Sequence, residues 1–138
     1  MPRILAIDYG KKRCGLAVSD PLQIIATGLE TVDTKHVFSY IENYLKNEVV
    51  EQLVVGWPKN LNNSPADSAS MVQQFINTLK RKFPAIPLTL IDERFTSKIA
   101  FQSMIDGGLK KKARQDKAMV DKISAVIILQ SFMEMNKK

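Results

Sequence analysis

The chain has 138 residues, with 20 Lys and Arg against 14 Asp and Glu for a net charge of +6, 45% hydrophobic residues and one cysteine. At this length folding buries roughly two-thirds of the unfolded surface, enough for one domain spanning residues 1–138 without a disulfide or structural metal. A lone cysteine excludes an internal disulfide and a cysteine-cluster zinc site, and it suits a reducing compartment. Asp8 interrupts the N-terminal apolar run before it could form a signal-peptide core, and no apolar stretch exceeds about six residues. A cytoplasmic protein with no membrane contact is expected, and its basic excess favours an anionic partner.

In chain order, Ile4 to Ile7 has strand length and ends in the charged turn Asp8-Tyr9-Gly10-Lys11-Lys12. Cys14 to Ser19 follows too soon for a parallel crossover, so the two runs predict an antiparallel hairpin. Ile24 to Val32, beyond the turn at Asp20-Pro21, predicts a third strand and completes a meander. Val37, Ile41, Tyr44 and Leu45 then repeat at helical spacing, and Gln52 to Gly56 reads as a short buried strand. Pro58, Pro65 and the Asn-rich stretch between them predict a loop. Val72, Phe75, Ile76 and Leu79 form a second helical stripe, and Leu88 to Ile91 is the fifth strand. Thr96 or Ser97 can cap a helix reaching towards Gly107-Gly108, and residues 109–117 form a basic loop. A last helix, apolar around most of its middle, covers Lys117 to Met135. The order predicts an α/β domain, a five-stranded mixed sheet with an antiparallel meander followed by parallel strands, flanked by helices on both faces.

In such sheets sites form at the carboxyl ends of strands. Asp8 ends the first strand on the face of Ile4 and Ala6, and Glu93 follows Thr89 and Ile91 on one face of the fifth. If the two strands are parallel neighbours, these acids converge. Asp121 heads the helix face carrying Ala125 and Ile128 and could join them. Three crowded carboxylates repel one another unless a cation intervenes, and oxygen ligands suit Mg²⁺ or Mn²⁺. Paired divalent ions about 4 Å apart activate water and stabilise the leaving oxygen of a phosphodiester. Singly, each acid also has an ordinary role: Asp8 shaping a turn, Glu93 pairing with Arg94 or Lys98, Asp121 favouring a helix start. Asp20, Asp92 and Asp116 are further acids that the sequence alone could equally place in the site.

The run Asp8-Tyr9-Gly10-Lys11-Lys12-Arg13-Cys14-Gly15-Leu16-Ala17-Val18-Ser19-Asp20 closely resembles the opening motif of the YqgF/RuvX family. The resemblance continues through Val55-Gly56-Trp57-Pro58, Asp92-Glu93-Arg94-Phe95-Thr96-Ser97 and the stretch from Asp121 to Phe132, in matching order over essentially the whole chain. It implies an RNase H-like fold and an acidic site at Asp8, Glu93 and Asp121 that binds Mg²⁺ or Mn²⁺. The activities it implies are processing of the 5′ end of pre-16S ribosomal RNA or, alternatively, Holliday junction resolution. One departure is that Asn62-Asn63 stands where the family loop usually carries Asp-Gly.

Lys11, Lys12 and Arg13 in the first hairpin turn, and Lys110, Lys111, Lys112, Arg114 and Lys117 in the later basic stretch, are candidate phosphate contacts; each cluster alone could equally be a solvated surface. Arg94 could clamp phosphate or hold a neighbouring carboxylate. His36 reads as a surface or capping residue, Cys14 as core and Trp57 as a loop anchor or base-stacking platform. The expected partner is nucleic acid: structured RNA, pre-rRNA or ribosomal particles, or branched DNA. Either a monomer or a homodimer is compatible, since symmetric junction cutting needs two sites. A non-cutting module of the same fold and an actin-like phosphotransferase are the competing readings. The second would need a further lobe beyond 138 residues.

Overall fold

The computed structural model describes residues 2–57, 66–92 and 117–135, with the backbone alone for residues 66–69, 92 and 117–121. The first apolar run forms β1 (Arg3–Asp8), which turns back at Tyr9–Lys12 into β2 (Arg13–Ser19) with Leu5 opposite Val18 and Asp8 opposite Gly15. β3 (Ala26–Asp33) completes the meander, and a single 3-10 turn, Thr34–His36, leads into α1 (Val37–Asn47). β4 (Val50–Trp57) returns parallel to β1, and after α2 (Ala66–Lys82) β5 (Leu88–Asp92) adds parallel to β4. The described chain closes with α3 (Lys117–Met135). The sheet order is β3-β2-β1-β4-β5, which is the expected mixed sheet.

Period-2 alternation divides the sheet's side chains between two cores. Leu5, Ile7, Leu16, Leu53 and Val55 meet the stripes of α1 (Val37, Ile41) and α2 (Val72, Phe75, Ile76, Leu79) on one face. Ile4, Ala6, Ala17, Val54 and Ile91 meet Ala125, Ile128, Leu129 and Phe132 of α3 on the other. The near-continuous apolar middle of α3 is thereby explained, because that helix alone covers its face among the described elements. No described helix is long and apolar enough to cross a membrane.

The third strand begins later than its apolar pattern predicts, at Ala26 instead of Ile24. The reason is Asp20. Its carboxylate accepts hydrogen bonds from the amides of Leu22 (3.2 Å), Ile24 (2.7 Å) and Ile25 (2.7 Å), which takes those donors out of any ladder. Gln23, within this loop, has a left-handed φ of 59° and is held by its side-chain amide, which donates to the Pro2 carbonyl at 3.1 Å and to the Glu51 carboxylate. Asp20 is therefore a loop-building residue at the amino edge of the sheet, remote from the carboxyl end of β1. The expected helix after Thr96 and the loops at residues 58–65 and 109–116 lie outside the described residues.

Helix α3 approaches β3 closely at Gly28, where a Cβ would stand 2.7 Å from Lys122 Cγ and 2.8 Å from its Cδ. Gly28→Val should therefore destabilise the fold by about 1–3 kcal/mol through overpacking. Adding Lys122→Ala should restore part of the loss, as urea unfolding of the single and double variants would show. Backbone hydrogen bonds also hold the Asp20 carboxyl below its ordinary value of 3.8, the bond from Ile25 contributing most. A lowered folded pKa adds stability above the unfolded value that disappears as pH falls through the folded one. Asp20→Asn should accordingly flatten the acid limb of the stability profile, read as the urea midpoint from neutral pH to pH below 3.8.

Candidate active site at the carboxyl edge

The parallel strands β1, β4 and β5 all end at one edge of the sheet, with Ile7 beside Val55 and Val55 beside Leu90. One residue further on, Asp8, Gly56 and Ile91 stand at a common level. β1 and β5 are not neighbours: β4 lies between them, so their ends are two strand spacings apart, about 10 Å. The direct adjacency on which convergence was conditioned is absent, and any meeting of acids must occur across the end of β4.

Asp8 is partly exposed, and alternation from Ile4 and Ala6 assigns it to the face covered by α3. The direction of α3 follows from its contacts. Lys122 and Val126 lie over Gly28, part-way along the edge strand β3, whereas residues Ile127 to Met135 share a hollow with Gln23 to Ala26 at the amino edge. The helix therefore begins at the carboxyl edge, and backbone position 121 lies one turn before the buried Ala125. Of the three candidate acids, Asp8 alone has a described side chain, Asp121 is described in backbone only, and Glu93 falls outside the described residues. Among the described side chains no three Asp, Glu, His or Cys groups cluster as a metal site.

The turn behind Asp8 is tightly specified. A Cβ on Gly10 would lie 2.3 Å from the Arg13 carbonyl oxygen, so any larger residue forces the hairpin tip to move. Thr34 ties that tip from the end of β3: its hydroxyl donates to the Gly10 carbonyl at 2.6 Å, and its amide donates to the Lys12 carbonyl at 2.9 Å. Sequence reasoning missed Thr34, because nothing in its local pattern shows that the meander carries it back to residues 10–12.

The hairpin displays Lys11 and Lys12 to solvent, while Arg13 is the partly buried first residue of β2. Arg94, Lys110, Lys111, Lys112 and Arg114 lie outside the described residues, and Lys117 is described in backbone only. Asp116 also lies outside them, and Asp92 ends β5 beside Trp57. Trp57 packs partly buried against the α1 and α2 core. Cys14 is fully buried, its Sγ 3.5 Å from the Thr34 hydroxyl, and His36 is an exposed helix-boundary residue whose side chain makes no cap.

Tyr9, between Asp8 and Gly10, packs on the opposite core, its ring centroid 4.6 Å from that of Phe75. Burial, with a smaller contribution from Cys14, pushes its phenol above the ordinary value of 10, so at neutral pH it stays protonated. A hollow of about 960 Å³ beside the second half of α3 opens at the amino edge and is remote from Asp8.

Comparison with known proteins agrees with this architecture. Residues 2–135 match the family model described as "RuvX: Holliday junction resolvase". A Phocaeicola vulgatus protein named "Putative pre-16S rRNA nuclease" is 56% identical over 137 residues, covering 99% of both chains. A protein of the same name from Christiangramia forsetii is 55% identical, covering 96% of this chain and 98% of its own. Among solved structures, Thermus thermophilus RuvC in complex with a Holliday junction substrate superposes with a TM-score of 0.61 at 17% identity, over 99% of this chain and 97% of that one. Fowlpox virus resolvase with junction DNA gives 0.59 at 15% identity, over 99% of each chain. At these identities the two structures establish the shared RuvC-like RNase H fold. With the family model spanning residues 2–135 and more than half of all aligned residues shared with both curated relatives, the chain belongs to the RuvX family.

Proposed function

We propose that this chain, acting as a single domain, is a metal-dependent endonuclease that hydrolyses phosphodiester bonds and processes the 5′ end of pre-16S rRNA in the cytoplasm. The observation that carries the reading is the position of Asp8. It is a partly exposed carboxylate at the end of the central strand, on the face of α3 and at the edge where that helix begins. The names of the two curated relatives supply the substrate.

Asp8, Glu93 and Asp121 would hold the metal, an all-carboxylate donor set that fits hard Mg²⁺ or Mn²⁺. When bound, such ions supply an activated water and charge stabilisation at the leaving oxygen. The protein's own contribution is placement. Gly10 and Thr34 fix the turn that follows Asp8 and keep Lys11 and Lys12 at its tip, where their ammonium groups bind substrate phosphates. Arg13, Arg94, Lys110, Lys111, Lys112, Arg114 and Lys117 extend the same phosphate-binding role. Contacts of this kind set affinity and register without reading sequence.

Asp8→Asn, Glu93→Gln and Asp121→Asn should each keep the circular dichroism spectrum and melting temperature of the parent and lose about 100-fold or more in cleavage rate. The assay compares a pre-16S rRNA 5′ fragment with a four-way DNA junction, in Mg²⁺, Mn²⁺ or EDTA. Metal-dependent cutting of the RNA alone is expected. Paired symmetric cuts in the junction would replace this reading with the resolvase one, and binding without cutting of either would leave a non-catalytic module. Binding should also weaken steeply with salt, and Lys11→Ala or Lys12→Ala should each reduce the log–log slope by about one.

A further inference from the structure

Behind the Asp8 turn, on the α1 and α2 face of the sheet, lies an open cleft of about 180 Å³. Tyr9, Phe38 and Phe75 form its aromatic walls, the last two with ring centroids 5.3 Å apart, and Thr34, Gln74 and Thr78 supply polar groups. The volume corresponds to about six waters, and it is well short of the roughly 300–1,000 Å³ of a cofactor or drug-sized pocket. It suits one small planar group.

The chemistry of the lining narrows the occupant. Gln74 is exposed on α2, and its side-chain amide offers both a donor and an acceptor. The Thr78 hydroxyl already donates to the Gln74 carbonyl at 2.9 Å, which leaves it able to accept. Exposed cations adjoin the lining residues: Lys11 and Lys12 on the hairpin tip after Tyr9 and Lys35 next to Thr34, while Lys82, ion-paired with Glu42 at 3.7 Å, stands 5.7 Å above the Phe38 ring. A planar, hydrogen-bonding heterocycle attached to an anionic backbone answers all three features, and an unpaired nucleotide has that form.

We propose that the cleft bounded by Tyr9, Phe38, Phe75 and Gln74 receives one unpaired nucleobase of the substrate strand, stacked on the aromatic wall and hydrogen-bonded by the Gln74 amide. The proposal rests on the nucleic-acid reading above and deepens it. The strand crosses the carboxyl edge with a phosphate at Asp8 on one side and the base of a neighbouring nucleotide held on the other. The cleft would select single-stranded segments or strand ends next to the cut, because a base inside a duplex cannot enter it.

The test uses the full chain in EDTA, so that no cleavage occurs, with single-stranded RNA and DNA oligonucleotides carrying 2-aminopurine and with a fully paired RNA duplex of the same length. Quenching of the 2-aminopurine on binding is expected, in either sugar or both, and comparing the two identifies the sugar. Tyr9→Leu should weaken single-strand binding about tenfold and Gln74→Ala about fivefold, with duplex binding unchanged for both. Gln74 is exposed, so its variant carries the test even if Tyr9→Leu fails to fold. An unquenched probe on the parent protein, or equal losses on single strand and duplex, would overturn the proposal. Loss of the nuclease reading appears separately, as absence of metal-dependent cutting with quenching intact.

Discussion

β1 is the strand whose two backbone edges are satisfied in opposite senses, antiparallel to β2 on one side and parallel to β4 on the other. Its middle four residues are buried on both faces. The meander hangs from one edge and the parallel strands from the other, and both cores are anchored on its alternate side chains. Because β1 joins both halves of the sheet, the residue that ends it stands at the centre of the carboxyl edge. Asp8 owes its position to this pairing pattern, and a shift of one residue in either ladder would exchange the faces of Ile7 and Asp8.

The two faces of that edge have different chemistry. On the α3 side Asp8 brings negative charge, and on the α1 and α2 side Tyr9 brings an aromatic ring resting on Phe75. Consecutive residues at a strand end point to opposite faces, so the division costs no additional structure. The tip between them is fixed by backbone geometry at Gly10 and by Thr34, whose hydroxyl and amide reach two different carbonyls of the turn.

Much of this was legible in the sequence. The period change after Val32 located α1, the stripe from Val72 to Leu79 located α2, and α3 runs from Lys117 to Met135 as its composition predicts. The structure removes Ile24 and Ile25 from the predicted strand because apolar β-branched residues carry no sign that the Asp20 carboxylate, four and five residues back, will claim their amides. The placement of β4 between β1 and β5 was equally hidden, since strand order depends on how crossovers pack and leaves no local periodicity. Asp8 could be singled out as a strand-ending acid, whereas Thr34 and Gln74 have meaning only through neighbours far away in the chain.

The Asp20 loop also bears on how the molecule behaves in company. β3 is an edge strand, and edge strands that continue into apolar, β-branched sequence are templates for intermolecular pairing. Here the two residues that would extend it, Ile24 and Ile25, are 69% and 61% exposed, yet their amides are occupied by one carboxylate. Asp20 therefore works as a stopper on a growing sheet. Protonating it weakens that grip just where the chain is most adhesive, which makes acid exposure an aggregation hazard as well as a loss of stability.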